Sequence, residues 1–401
     1  MSAAVLAEAE GRGAASEAGP LFLVVAGEAS GDLHAAAAVR ALRERCPTAR
    51  FTGMGGEKLR DAGVETIYDA AEVSVMGISE VLGRLPRILG ALRGLARLAE
   101  ERRPAAALLV DLPDFNLRLA KRLKRLGVPV IYYVSPMVWA WRPRRTRAIA
   151  RSVDRLLCIY PFEEPFLRER GVEATYVGNP LLDEPPPARE GEGARRAIGL
   201  DPGARTLALL PGSRESEIER LFPSMLAAAE RLQRSDGPLQ LVVPVAPTVD
   251  ASRLERLASA RGLNVRFLRG RTADLLAAAD AAIVASGTAT LETLLAGRPM
   301  VVVYRVSWLT WLVGRLLVRV SHVAIVNLLA GRRLVPELLQ RQMTPAAVAE
   351  ALRSVWLDAG RRAELLAGYR EVRDRLGGAG ASGRVAAALL EAARDPAAVP
   401  K

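Results

Sequence analysis

The stretch LFLVVAGEASGDL, residues 21–33, decides the fold class. Leu21 to Ala26 have the length of one strand, and they end in a glycine turn that leads at once into a helix-like segment reaching about Arg45. An unbroken apolar run, as opposed to an alternating one, is what a strand covered on both faces requires. The order strand, turn, helix therefore predicts a parallel sheet.

Working outward, the same unit recurs. AAALLV at 105–110 is followed by a helical pattern to Leu126, and VPVIYYV occupies 128–134. The rhythm breaks at PLLDEPPPAREGEG, residues 180–193, where proline and acidic residues replace periodicity, and this reads as a linker. It resumes with TLALL at 206–210, LQLVVPV at 239–245, VRFL at 265–268, AAIVA at 281–285 and PMVVVY at 299–304. The expectation is an α/β protein of two Rossmann-like domains, 21–180 and 194–345, facing a central cleft and joined by 181–193. Residues 1–20 read as a loose tail, and 346–401 as helices that pack back across the domains.

A chain of 401 residues is long for one core and suits two. With 56 Lys and Arg against 44 Asp and Glu, it carries a formal charge of +12, supplied almost wholly by arginine. Guanidinium groups suit phosphate-bearing partners such as nucleotides or anionic lipid, although an arginine-rich genome would give the same excess. Cys46 and Cys158 stand far apart, as do His34 and His322, so neither a disulfide framework nor a zinc site is expected. The first twenty residues lack the basic start and apolar segment of a signal peptide. The longest strongly apolar run, Val306 to Gly314, is roughly half of what a spanning helix requires, so no membrane crossing is expected.

Ligands of open parallel sheets collect beyond the carboxyl ends of the strands. In the turn Gly27 to Asp32, small residues permit close backbone approach and a helix start follows, with Glu28, Ser30 and Asp32 as polar candidates. The G-x-G-x-x-G spacing of a dinucleotide fingerprint is absent there. Asp111, where the strand at 105–110 runs out, is placed to take a proton from an attacking hydroxyl, while Asp114 reads as a helix cap. Trp139 and Trp141, in SPMVWAW after Val134, either form a platform for a sugar or acyl group or simply pack.

In the second half, Gly212, Ser213 and Arg214 offer close approach, donors and a guanidinium fork for a pyrophosphate. Ser286, Gly287 and Thr288 form a second turn suited to phosphate oxygens. Glu292, one helical turn beyond Thr288, is placed for the hydroxyls of a ribose. Two segments carry lipid-facing patterns: VMGISEVLGRLPRILGALRGL at 75–95, with Met76, and WLTWLVGRLLVRV at 308–320, with Trp308, Trp311, Arg315 and Arg319. A core helix would explain either one as well.

The segments GEASGD, GMGG at 53–56, VMGISEVLGRL, PDFN, SPMVWAW, PFE at 161–163, LLPGSR, ASGTATLE and NLLAGR at 327–332 occur in that order. In this series the chain resembles the lipid-A-disaccharide synthases over nearly its whole length, departing from their pattern at Ala35, Asn179 and Val326. The resemblance implies a GT-B glycosyltransferase, with an acceptor lipid on the N-terminal domain and UDP-2,3-diacylglucosamine gripped by the C-terminal one. It also implies Asn327 as a nucleotide-side residue. The partners are then UDP-diacylglucosamine, diacylglucosamine 1-phosphate and an anionic membrane surface at the cytoplasmic face of the inner membrane, and self-association stays open.

On this reading transfer is inverting and direct, with Asp111 as base and Glu28 or His34 next in line. Arg214 and the Ser286 helix start would stabilise the leaving diphosphate, and neither a metal nor a cofactor is needed. Two other classes remain open: a UDP-sugar epimerase of the same architecture, and a basic nucleic-acid-binding protein. Against the latter, the arginines do not cluster with aromatics and no nucleic-acid motif appears.

Overall fold

The computed structural model describes residues 19–70, 78–141, 143–246, 249–308, 311, 312, 314 and 320–394, with side chains of 78–84 left aside. Met76, Arg315 and Arg319 lie outside the described residues. The chain forms two compact units: residues 1–184 together with 378–401, and residues 185–377.

Unit 1 is built on seven parallel strands in the order β3-β2-β1-β4-β5-β6-β7. They are β1 (Leu21–Ala26), β2 (Arg50–Gly55), β3 (Glu65–Asp69), β4 (Ala106–Val110), β5 (Val130–Tyr133), β6 (Arg155–Cys158) and β7 (Ala174–Tyr176). The alternation along β1 shows why the strand had to be apolar throughout. Phe22, Val24 and Ala26 enter one core with the helices Ala29–Arg45 and Ala381–Arg394, while Leu23 and Val25 enter another with Ile78–Arg102 and Pro113–Arg125.

The last helix is held to unit 1 by Asp183, whose carboxylate accepts from the amides of Gly380 (2.6 Å), Ala381 (3.0 Å) and Ser382 (2.7 Å). These are three of the amides that a helix start leaves without internal partners. The helices Pro345–Trp356 and Ala359–Arg375 belong instead to unit 2. Their caps are local: Thr344 accepts from Ala347 N and Asp358 from Arg361 N.

Unit 2 repeats the plan with six parallel strands, β10-β9-β8-β11-β12-β13. They are β8 (Thr206–Leu210), β9 (Gln240–Val245), β10 (Val265–Arg269), β11 (Ala281–Ala285), β12 (Met300–Tyr304) and β13 (Glu337–Leu339). Apart from one extra edge strand in unit 1, the order is the same in both. In each, strand order reverses beside the first strand, between β1 and β4 and between β8 and β11, which is where α/β sheets leave room for a ligand. No helix among the described residues is long and apolar enough to cross a membrane.

Candidate active site

At the mouth of the unit 1 sheet, β1 and β4 end level with one another, Ala26 opposite Val110. The turns that follow touch: a Cβ on Gly27 would fall 2.4 Å from a Leu112 methyl and would have to displace that side chain. Half-buried Glu28 and half-buried Asp111 thus leave adjacent strands side by side.

Asp111 and Leu112 both adopt left-handed backbone, at φ 50° and 47°. Such a pair costs of order 1–3 kcal/mol per residue and persists only where the surroundings enforce it. Here they do. Asn116 Nδ2 donates to Val110 O (3.1 Å) and Asp111 O (2.8 Å), and the buried Tyr132 hydroxyl also donates to Asp111 O. The next strand ends the same way, with the β-branched Val134 at φ 66° and Asp111 N donating to Tyr133 O. Strain therefore collects on the two strand ends that carry Asp111 and the SPMVWAW loop.

Several expected roles move. Asp32 is not an open acceptor-binding group: its buried carboxylate accepts from Gly56 N (2.7 Å), Lys58 N (2.9 Å) and Leu59 N (3.4 Å). It caps the helix Glu57–Asp61 and ties GEASGD to GMGG. Ser30 is half-buried in the first turn of the helix Ala29–Arg45, which has Glu28 as N-cap and no side-chain cap bond. Asp114 is no cap either: it lies inside the first turn, and its carboxylate pairs with Arg145. Burial lowers the pKa of His34 to about 4, with Asp183 opposing, so this imidazole is a poor base near neutral pH.

Trp139 is half-buried, its ring edge-on to Phe162 at 5.0 Å, and its Nε1 donates to Glu163 Oε1 at 3.0 Å. Trp141 and Met137 are exposed. Glu163 was missed by the sequence reading. It is 1 % exposed, and burial raises its pKa to about 7 against the pull of its hydrogen bonds. The signal for it was its place in the PFE segment, 161–163, of the family series, which carried no role with it.

At the mouth of the unit 2 sheet, β8 and β11 also end together, Leu210 opposite Val284. Gly212, Ser213 and Arg214 therefore share one level with Ser286, Gly287 and Thr288. Gly212 sits at φ 105°, where a Cβ would collide with the Glu217 carboxylate. Arg214 Nη1 donates to Glu217 Oε1 at 3.1 Å. Both turns open helices without a side-chain cap bond, Glu215–Asp236 and Thr288–Leu295, so first-turn amides are presented to an anion. Glu292 is half-buried on the second of these.

Asn327 departs from expectation. It is fully buried, and its amide is engaged within the fold: Nδ2 donates to Val335 O (3.0 Å) and Glu337 Oε1 (2.6 Å), while Oδ1 accepts from Val335 N (2.8 Å). Glu337, also missed, accepts from Val323 N and Ala324 N at 3.1 Å each. Ser286 Oγ in turn donates to Val323 O at 3.3 Å. Asn327 thus acts on the Ser286 turn through Glu337 and residues 323–324. Trp308 is 71 % exposed, Leu312 is exposed and Trp311 is half-buried. Ala35, Asn179 and Val326 are all buried.

Three comparisons bear on this site. Residues 22–379 match a family model described as lipid-A-disaccharide synthetase. A lipid-A-disaccharide synthase of Myxococcus xanthus is 56 % identical over 372 residues, 93 % of this chain and 97 % of that protein. One from Anaeromyxobacter dehalogenans is 54 % identical over 370 residues, covering 92 % and 96 %. Among solved structures, the UDP-GlcNAc 2-epimerase of Neisseria meningitidis bound to UDP-GlcNAc superposes with a TM-score of 0.66, covering 92 % of this chain and 100 % of that one. At 11 % identity it shares the fold alone.

Proposed function

The chain belongs to the lipid-A-disaccharide synthetase family, and from that premise we propose that it joins UDP-2,3-diacylglucosamine to 2,3-diacylglucosamine 1-phosphate, giving lipid A disaccharide 1-phosphate and UDP. It is a glycosyltransferase of the GT-B class. The observation that carries the assignment of roles is the placement of the two motif groups at the strand-order reversals of the two sheets: Glu28 and Asp111 in one, Gly212 to Arg214 and Ser286 to Thr288 in the other.

The acceptor hydroxyl attacks the anomeric carbon of the donor as the bond to the UDP oxygen breaks, with inversion and no covalent intermediate. Asp111 takes the hydroxyl proton. Its backbone is held in place by the carbonyl lock from Asn116 and Tyr132, which fixes where the side chain leaves the strand end. Negative charge grows on the diphosphate, and Arg214 together with the helix starts at Glu215 and Thr288 receives it. A preorganised donor of this kind is worth about 3 kcal/mol of barrier. Glu292 accepts from the ribose hydroxyls, and Trp139 with Trp141 forms the acceptor-side platform.

Incubating the protein with both diacylglucosamine substrates and weighing the products tests the reaction. UDP and a disaccharide must appear together, and in excess EDTA as well, since the groups named for the leaving group are all protein. Release of a free sugar or turnover of the donor without acceptor would favour the epimerase-like alternative.

The acyl chains require a lipid surface. Exposed Trp308 and Leu312 in unit 2 and exposed Met137 and Trp141 beside Arg144 in unit 1 suit peripheral attachment to anionic lipid on the cytoplasmic face. Vesicle binding that weakens with salt supports this, and binding indifferent to lipid charge overturns the electrostatic part.

A further inference from the structure

Glu163 has no place in the reaction as written, yet it is the most unusual carboxylate in unit 1. It lies just beyond the end of β6, 1 % exposed, and no cationic side chain among the described residues pairs with it. An unpaired buried carboxylate is expensive unless hydrogen bonds replace its water. Three donors do so here: Trp139 Nε1 at 3.0 Å, Tyr160 N at 3.1 Å and Ile159 N at 3.3 Å. One of the three, Trp139, comes from the loop after β5, 24 residues back in the sequence.

That loop begins at Val134, whose left-handed backbone is disfavoured for a β-branched residue. Strain of this kind relaxes unless the segment beyond it is anchored. The Glu163 carboxylate is an anchor, and Phe162 packs edge-on against the same indole. Asp111 N donates to Tyr133 O, one residue before the strained position, so the loop and the proposed base leave adjacent strand ends that are hydrogen-bonded to each other.

We propose that Glu163 is a positioning residue for the acceptor: its carboxylate holds the Trp139 ring so that the loop forms the wall against which the acylated acceptor sugar rests. This depends on the reading of Ser135 to Trp141 as acceptor-side. The ionised form matters because all three neighbours donate. A protonated carboxyl, or a Gln amide, must point a donor into a ring of donors and releases one of them. The titratable neighbours do not compete. Burial pushes the Cys158 thiol and the Tyr160 and Tyr176 phenols up, keeping them neutral at physiological pH, and Glu164 is paired with Arg168.

The test is steady-state kinetics in both substrates for Glu163→Gln, Trp139→Phe and the double variant, with folding checked by thermal melting. Loss of one hydrogen bond to a charged group should raise the acceptor KM about 10-fold in each single variant, with the donor KM within about 2-fold. Because both variants break one contact, the double variant should cost no more than the larger single. In the wild type the acceptor KM should rise as pH falls through about 7, and in Glu163→Gln that rise should be absent.

A folded Glu163→Gln with unchanged acceptor KM overturns the proposal, as does a wild-type acceptor KM that is flat across pH 7. Trp139→Ala separates this from the underlying reading. If it raises the acceptor KM while Glu163→Gln does not, the platform stands and the anchor falls. If it leaves the acceptor KM untouched, the acceptor-side reading fails and the anchor with it. Should Glu163→Gln not fold, Trp139→Phe and the wild-type pH series still decide.

Discussion

The two sheets share a strand order but end in turns of different kinds. At the mouth of unit 1, three non-glycine residues, Asp111, Leu112 and Val134, sit in left-handed backbone, and two acids, Asp32 and Glu163, are buried and bonded to loop amides or an indole. At the mouth of unit 2, the left-handed position in the turns after β8 and β11 is a glycine, Gly212, and these turns lead straight into helices without side-chain caps, while the non-glycine Gln340, at φ 51°, lies beyond the edge strand β13. A reacting group needs one direction, and strain held by surrounding bonds provides it. A diphosphate needs several donors and close approach, and glycine turns at helix starts provide those at little conformational cost.

The contrast is most exposed at Asp111. If unit 1 supplies aim, Asp111→Asn should lower turnover about 100-fold or more, because the base is lost, while UDP affinity stays near normal. Rate assays with UDP binding by calorimetry check this. Equal losses in both quantities would erase the division of labour.

His34 probes the buried side of unit 1. Its folded pKa of about 4 lies below its unfolded value of 6.5, so the unfolded chain binds the proton first. Its contribution is present in full above pH 6.5 and is lost as pH falls toward 4, to an extent of about 3 kcal/mol. Denaturant melts at pH 7 and pH 4 should therefore diverge less for His34→Gln than for the wild type.

Glu337 is the nearest unit 2 counterpart of the buried acids, and it sharpens the comparison because it is a brace and not a wall of the site. Glu337→Gln should cost about 1–3 kcal/mol of stability from orphaned donors at Val323, Ala324 and Asn327. The donor KM should rise through Ser286, with the acceptor KM unmoved. Smallest is Gly212→Ala, which forces a side chain into left-handed backbone and against Glu217. A loss of about 10-fold in UDP affinity, with near-normal melting, is expected. An acceptor-side effect from this change would break the contrast from the other end.

Much of the fold was legible because long apolar runs have few alternatives. β1, β8 and β11 fall where the sequence reading put them, and the other strands it named agree to within two residues at either end. Five strands were not read: β2, β3, β6, β7 and β13. Arg50–Gly55 is interrupted by glycine, Glu65–Asp69 is largely polar, and the remaining three are only three or four residues long. Such segments are made strands by a neighbour already in place, and tertiary pairing overrides weak local preference.

The site was legible as a set of turns and less so as a set of roles. Asp111, Gly212, Arg214 and Ser286 stand at strand ends because the strand length put them there. Asp32 read as a ligand group since small polar residues in glycine-rich turns usually serve that purpose, and Asn327 because the family resemblance implied it, yet both are consumed within the fold. Glu163 stood in the PFE segment without a role to go with it, and Glu337 gave almost no signal, since an acid beside apolar residues looks like any solvated carboxylate.

What the sequence alone determined is therefore periodic and local: two parallel α/β sheets, the break between them, and the glycine turns that end their strands. What only the tertiary structure decided is which carboxylates remain open and which are already occupied. Asp32 meets amides 24 to 27 residues away, Glu163 an indole 24 residues back, and Asp183 a helix start nearly 200 residues later. A hydrogen bond reaches about 3 Å whatever the separation along the chain, so its partner becomes known only once the sheets have brought distant turns together.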